Sequence, residues 1–152
     1  MLSIEAATGV DLVRLLWTEY WEGLGLPRSF QGFDDELRHL PGVYSPPAGA
    51  LALALLDEAV AGTVALRPLG GVSCEVKRLY VRPEFRRRGV GRTLMNWILG
   101  QAKARGYEIA YGDTLPSVTD ALQMYRELGF RMMDRPYSQT PTPGAIYLVR
   151  EL

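Results

Sequence analysis

The pattern of apolar and polar positions along the chain predicts alternating strands and helices. A weak first strand is predicted at Ser3 to Ala6, and apolar positions including Leu12, Leu15 and Leu16 then predict an amphipathic helix that begins at Asp11 and ends near Gly23 to Gly25. The predicted order is strand, two helices, three strands, helix, strand, helix and two strands. The later elements are a short helix at Asp34 to Leu40, strands at Ala50 to Leu56, Val60 to Leu66, Glu75 to Val81, Ile109 to Tyr111, Phe130 to Met133 and Ala145 to Val149, and helices that begin at Val90 and near Ala121.

Length and composition are those of one globular domain. The 152 residues are 47% hydrophobic, which is enough for one sizeable core. The segment Pro41 to Gly49 is rich in proline and glycine but short, so we interpret it as a loop within a single domain spanning residues 1–152. The 17 basic residues balance 17 acidic ones, so the net charge favours neither nucleic acid nor a membrane as a partner. With no signal-like or spanning segment, a cytoplasmic location is expected.

The single cysteine and the single histidine predict structural roles. Cys74 has no second cysteine with which to form a disulfide or a metal cluster, and we expect it to be a small buried core residue. His39 lies near the predicted end of the short helix and is expected to be a surface or helix-end residue. The sequence shows no cluster of carboxylates of the kind that binds a hard cation. We therefore expect no metal.

The segment Val76 to Thr93 has the features of an anion-binding site. A strand-like run leads through an arginine- and glycine-rich turn into a helix, whose free N–H groups attract phosphate. A P-loop is excluded because the chain contains no Gly-Lys pair. A dinucleotide fingerprint fits less well, since Leu94 stands at the third glycine position. It stays open because Asp113 lies near the distance expected for a ribose-binding acid.

Two motifs carry a resemblance to a known family. Arg86, Gly89 and Gly91 form the pattern R-x-x-G-x-G, which resembles the coenzyme A signature of the GNAT acyltransferases. Downstream, Ala121 to Phe130 resembles the family's A-x-x-x-Y-x-x-x-G-F signature, with Tyr125 as the tyrosine. Three further segments resemble an uncharacterised bacterial GNAT subgroup; they are Asp113 to Ser117, Pro136-Tyr137 and Pro143 to Tyr147.

The resemblance implies a fold, a donor and a reaction. The implied architecture is the α/β GNAT acyl-CoA N-acyltransferase fold, a mixed and mostly antiparallel sheet of about seven strands with about four helices. A V-shaped cleft between the fourth and fifth strands would admit acetyl-CoA from one side and the acceptor from the other. The implied reaction is direct acetyl transfer to a primary amine of a small molecule or peptide. A module that binds acyl-CoA without turnover is the alternative, and a homodimer is left open.

Within that resemblance, Glu75 and Tyr125 are the candidate catalytic residues. An amine with a pKa of about 10 must lose a proton before it attacks a thioester. Glu75 lies eleven residues before Arg86, the spacing at which several GNAT enzymes place a glutamate base, although a solvated or Lys77-paired carboxylate is also compatible. Tyr125 would protonate the leaving thiolate, although its helical spacing also fits a core tyrosine. A regular strand would place Glu75, Lys77, Leu79 and Val81 on one face, and Cys74, Val76, Arg78 and Tyr80 on the other.

The other candidate residues form a cofactor group and an acceptor group. Main-chain N–H groups are expected to bind the oxyanion and the pyrophosphate, with help from arginine side chains and the Thr93 hydroxyl. On the acceptor side, Arg67 and Lys77 would suit an amine that bears a carboxylate, whereas Asp113 would suit a cationic amine. This choice stays open. The cofactor group is Leu79, Tyr80, Val81, Arg86, Arg87, Arg88, Gly89, Val90, Gly91, Arg92 and Thr93; the acceptor group is Tyr44, Arg67, Lys77, Asp113 and Tyr137.

Overall fold

Strands and helices follow one another in the predicted order. The computed structural model describes residues 1–116, 118–138 and 142–152, so Ser117, at the end of the Asp113 to Ser117 segment, lies outside the described residues. The strands are β1 (Leu2–Ala6), β2 (Ala50–Leu56), β3 (Ala59–Gly70), β4 (Ser73–Val81), β5 (Ile109–Thr114), β6 (Arg131–Met132) and β7 (Ile146–Glu151). The helices are α1 (Asp11–Leu24), α2 (Phe33–Arg38), α3 (Val90–Ala104) and α4 (Thr119–Glu127).

The described strands form one seven-stranded sheet in the order β1-β2-β3-β4-β5-β7-β6. Only the β4–β5 pair is parallel, so the implied mixed and mostly antiparallel sheet is confirmed. That pair is short: only Ser73 to Glu75 of β4 pair with Ile109 to Tyr111 of β5 among the described residues. Beyond Glu75 and Tyr111 the two strands are no longer paired. The implied opening between the fourth and fifth strands is therefore present.

The sheet has an apolar core on each face. On one face α3 and α4 pack against β-strand residues that include Cys74 and Val76. On the other face α1 and α2 contribute Trp17, Trp21 and Phe33 to a second core. Cys74 is buried, as expected. The predicted apolar side of α1 is partly wrong, because Leu12 and Leu15 are exposed; the buried residues of this helix are Val13, Leu16, Trp17 and Trp21.

A β-bulge in β4 changes which residues share a face. Arg78 adopts a left-handed φ of 59°. Lys77 pairs with Ala65 and Tyr80 with Thr63, so β4 advances by three residues where β3 advances by two. The prediction of a regular strand is therefore wrong beyond Lys77. Leu79 and Val81 pack with Cys74 and Val76 on the α3/α4 face, whereas Arg78 and Tyr80 lie with Glu75 on the α1/α2 face.

Candidate active site

The opening between β4 and β5 begins at Glu75, the last paired residue of β4. Tyr125 of α4 approaches this opening from the α3/α4 face and is only 4% exposed. An ideal Cβ atom on Gly112 of β5 would lie 3.9 Å from the Tyr125 hydroxyl oxygen and 3.7 Å from the main-chain oxygen of Val76. The Tyr125 hydroxyl therefore lies beside both strands, just past the point where they separate.

Glu75 is held by two side chains on the opposite, α1/α2 face. The Tyr137 hydroxyl donates a hydrogen bond to Glu75 Oε2, and Arg67 Nε lies 3.8 Å from Glu75 Oε1. Arg67 is also the register partner of Glu75 on β3. Glu75 itself is 5% exposed, so it is neither a solvated carboxylate nor one paired with Lys77. The carboxylate is therefore buried directly beside the strand opening.

Tyr137 reaches Glu75 from the segment between β6 and β7. Its ring packs on Tyr111 with 4.8 Å between centroids and meets Tyr147 edge-on at 5.5 Å. Burial and the negative charges of Glu75 and Asp113 raise the pKa of Tyr137. Tyr137 therefore stays protonated and donates to Glu75 throughout the neutral range.

The turn before α3 presents free main-chain donors. Gly89 is the N-cap residue of α3 with φ 78°, and the N–H groups of Val90, Gly91 and Arg92 are the unpaired donors of the first helical turn. The Thr93 hydroxyl donates to Gly89 O at 2.8 Å. This geometry suits a phosphate group at the helix N-terminus.

The arginines around this turn have different partners. Arg86 Nε donates to Val81 O at 3.0 Å, and Arg92 forms an ion pair with Glu127. Arg87 and Arg88 are exposed, and no ion pair within the described part of the chain involves their guanidinium groups. Arg87 and Arg88 are therefore more available to an anionic ligand than Arg92.

Comparison with known proteins identifies the family to which this chain belongs. The family model described as the acetyltransferase (GNAT) family matches residues 11–130, which contain both signatures and the strand opening. The chain belongs to the GNAT acetyltransferase family. An uncharacterised N-acetyltransferase of Schizosaccharomyces pombe is 34% identical over 152 residues, covering 99% of this chain and 93% of the relative. Family membership and this relative support acetyl transfer as the general activity, and the family removes the dinucleotide alternative.

Solved structures agree with the GNAT fold. An acetyltransferase from Streptococcus agalactiae superposes with a TM-score of 0.83 at 20% identity, covering 99% of this chain and 98% of that one. A GNAT family acetyltransferase from Elizabethkingia anophelis, solved with acetyl-CoA bound, superposes with a TM-score of 0.71 at 23% identity, covering 99% of this chain and 98% of that one. At these identities the likeness shows the fold alone.

The GNAT domain brings together most of the predicted catalytic and acceptor residues. Burial, the nearby phenol of Tyr20 and the charges of Asp113 and Glu75 all raise the pKa of Tyr125, so this phenol is protonated at neutral pH. The same charges act on Tyr137. Glu75 and Asp113 are therefore close enough to both phenols for their negative charges to act on them.

Tyr44, one of the predicted acceptor residues, lies away from the strand opening. Tyr44 is 1% exposed and its hydroxyl donates to Glu36 Oε1 at 3.0 Å, so it belongs to the core beneath α2. Lys77 pairs with Ala65 of β3 just before the bulge, and its positive charge helps to lower the pKa of the same Glu36.

Arg78, Tyr20 and Phe30 line a narrow cavity on the α1/α2 face, although none is a predicted site residue. Arg78 was missed because a regular strand places it opposite Glu75, and a left-handed arginine has no sequence signal. Tyr20 had a usable signal. It is adjacent to Trp21, which lies on the sheet-facing side of α1. A tyrosine at the edge of the buried face of a helix can keep its ring in the core while its hydroxyl reaches a cleft.

Among the residues that the structure describes, no group of three or more histidine, cysteine, aspartate or glutamate side chains could hold a metal ion. None of the helices in the same residues is both long enough and apolar enough to cross a membrane.

Gly89→Ala tests the conformation of the turn before α3. Alanine at φ 78° should lower the free energy of unfolding by about 1–2 kcal/mol, because a Cβ atom is strained in the left-handed region. Gly100→Ala is the matched control, since Gly100 lies inside α3 with open space around it and should gain about 0.5–1 kcal/mol. Urea unfolding measures both changes. A Gly89→Ala variant as stable as the wild type would contradict the assigned turn.

Proposed function

We propose that this GNAT domain transfers an acetyl group from acetyl-CoA to a primary amine by direct attack in a ternary complex. The observation that carries the proposal is the β4–β5 opening, with buried Glu75 on one side and the Tyr125 hydroxyl on the other. A relative named as an N-acetyltransferase and a solved GNAT structure with acetyl-CoA bound support this donor and this reaction.

The residues of the turn before α3 fit the phosphates of coenzyme A. The free N–H groups of residues 90–92 would bind phosphate oxygens, and the side chains of Arg87 and Arg88 would pair with their charge. Bound acetyl-CoA would supply the thioester that the amine attacks. Beyond Glu75 the edge of β4 that faces β5 has no partner strand, so main-chain N–H groups between Leu79 and Val81 would stabilise the developing oxyanion.

Glu75 and Tyr125 would handle the two protons of the reaction. Glu75 would accept a proton from the acceptor ammonium, directly or through water, so that the neutral nitrogen can form its bond to the acetyl carbon. As the carbon–sulfur bond breaks, the Tyr125 hydroxyl would donate a hydrogen bond or its proton to the leaving sulfur. The proton that the new amide nitrogen must lose would pass to solvent, or would reprotonate Tyr125 where that residue has given up its own. Tyr137 and Arg67 would keep the Glu75 carboxylate in place.

A thiol-release assay with acetyl-CoA and a panel of primary amines tests the proposal. We expect turnover by the wild type and a roughly tenfold or larger loss of kcat in Tyr125→Phe, because the leaving sulfur loses its donor. Tyr107→Phe is the control, since the Tyr107 hydroxyl donates to Ala48 O away from the opening. Acetyl-CoA binding without thiol release on any amine would overturn the proposal and favour the acyl-CoA-binding module.

A further inference from the structure

A narrow cavity lies on the acceptor side, next to the strand opening. It has a volume of about 40 Å³, which is room for roughly three water-sized groups. Its walls come from α1, the 3-10 turn at Phe30–Gly32 and the end of β5. A cavity this narrow favours a slender alkyl chain with a terminal polar group over a sugar ring. The lining residues used below are Tyr20, Trp21, Phe30, Arg78 and Asp113.

The two charged residues of this lining, Arg78 and Asp113, differ in whether a neighbouring opposite charge balances them. Arg78 is paired with Glu36, with Nε 2.9 Å from Oε1 and Nη2 3.2 Å from Oε2. Its charge is therefore already balanced within the protein. The Asp113 side chain forms no ion pair or hydrogen bond with any residue that the structure describes, whereas its main chain is paired with Tyr147 of β7. The cavity consequently carries one uncompensated negative charge.

The aromatic residues of the cavity are fixed in position. The Trp21 Nε1–H donates to Pro27 O at 2.9 Å, and the Trp21 ring stacks on Phe33 at 4.2 Å between centroids. The Tyr20 ring packs beside Tyr80 at 5.5 Å. The Arg78 guanidinium already lies over the Trp21 ring, 4.9 Å from its centroid. The rings of Tyr20 and Phe30 next to an unpaired carboxylate remain a favourable environment for an ammonium group, which interacts with both.

Asp113 and Glu75 are far enough apart to bind two different groups of one acceptor. Asp113 follows Tyr111, the register partner of Glu75, by two residues. Strand geometry then places the two Cα atoms at least about 8 Å apart. One amine can therefore lie at Glu75 while a second cationic group lies at Asp113.

We propose that the acceptor is a slender primary amine with a second positive charge, and that Asp113 binds this second charge. The inference rests on the proposed acetyl transfer and names its acceptor class. The positive charge of Arg78 does not select for a carboxylate, because Glu36 already compensates it. Arg67 lies outside the lining of this cavity and faces Glu75 instead.

Three acceptors of matched length test the proposal. They are 1,4-diaminobutane, n-butylamine, which lacks the second charge, and 4-aminobutanoate, in which the second charge is negative. For the wild type we expect kcat/KM for the diamine to exceed that for butylamine by roughly 10- to 100-fold, the effect of one charged hydrogen bond. Asp113→Asn should bring this ratio close to one, mainly through KM. Asp120→Asn, which changes an exposed aspartate at the start of α4, should keep the wild-type ratio.

Calorimetric titration of the coenzyme A-saturated protein with the same three compounds separates this inference from the proposed function. If no acceptor is acetylated, acetyl transfer fails, yet diamine binding that weakens at least tenfold in Asp113→Asn still supports the cationic site. A diamine-to-butylamine ratio unchanged in Asp113→Asn, or a wild-type preference for 4-aminobutanoate, overturns the inference. Equal affinity of the wild type and Asp113→Asn for the diamine also overturns the inference.

Discussion

Replacing Glu75 with glutamine should lower kcat/KM for acetyl transfer by roughly 10²- to 10⁴-fold, the range for loss of a general base. The amide keeps the shape of the carboxylate, so the Tyr137 hydroxyl can still donate to an oxygen at this position. What glutamine lacks is a site that accepts a proton from the acceptor ammonium. Thiol release at saturating acetyl-CoA, measured across several acceptor concentrations, reports the change.

The same experiment needs a folding control and a binding control. Glu108→Gln changes an exposed glutamate whose side chain has no recorded partner among the described residues, and it should leave turnover within about twofold of wild type. Coenzyme A affinity should be equal in wild type and Glu75→Gln, because the phosphates would bind at the start of α3. Near wild-type turnover by Glu75→Gln with intact folding would show that the buried carboxylate is not the base.

Element order was predictable because each element has a strong local signal. Helix α1 begins at the predicted Asp11 and ends before Gly25, whose φ of 69° suits a helix C-terminus. The two-residue turn Asp57-Glu58, with φ of 51° and 70°, joins β2 and β3 between the two strands predicted at Ala50 to Leu56 and Val60 to Leu66. Such features depend on residues close in sequence, which is why they can be inferred from one chain.

The acceptor side was harder to predict because it depends on contacts distant in sequence. Arg78 turns to the α1/α2 face through a bulge, and its partner Glu36 lies 42 residues away. Tyr137 was proposed only as an acceptor residue, whereas the structure shows it bound to Glu75 across 62 residues. The charge balance that distinguishes Asp113 from Arg67 and Arg78 follows from such pairs, so it required the three-dimensional arrangement.

The pair formed by Arg78 and Glu36 is the contact whose loss should most destabilise the protein. The guanidinium group is buried over Trp21, with its carbon 4.9 Å from the ring centroid, and Tyr44 also donates to the same carboxylate. Glu36→Gln would leave this cation without a counter-charge. We expect a loss of about 3–5 kcal/mol in the free energy of unfolding, as is usual when one partner of a buried pair is removed. Asp35→Asn, which breaks the exposed pair with Arg38, should cost less than about 1 kcal/mol.

The pH dependence of stability gives an independent test of the same pair. Burial alone would raise the pKa of Glu36, but the hydrogen bond and the charge of Arg78 outweigh it and hold the pKa below the ordinary 4.5. The stabilisation is therefore complete above about pH 4.5 and is lost as the pH falls through the lower pKa of the folded state. The stability gap between wild type and Glu36→Gln, measured by urea unfolding, should accordingly shrink below that pH. A gap of the same size at every pH would mean that the charge of Glu36 is not what stabilises Arg78.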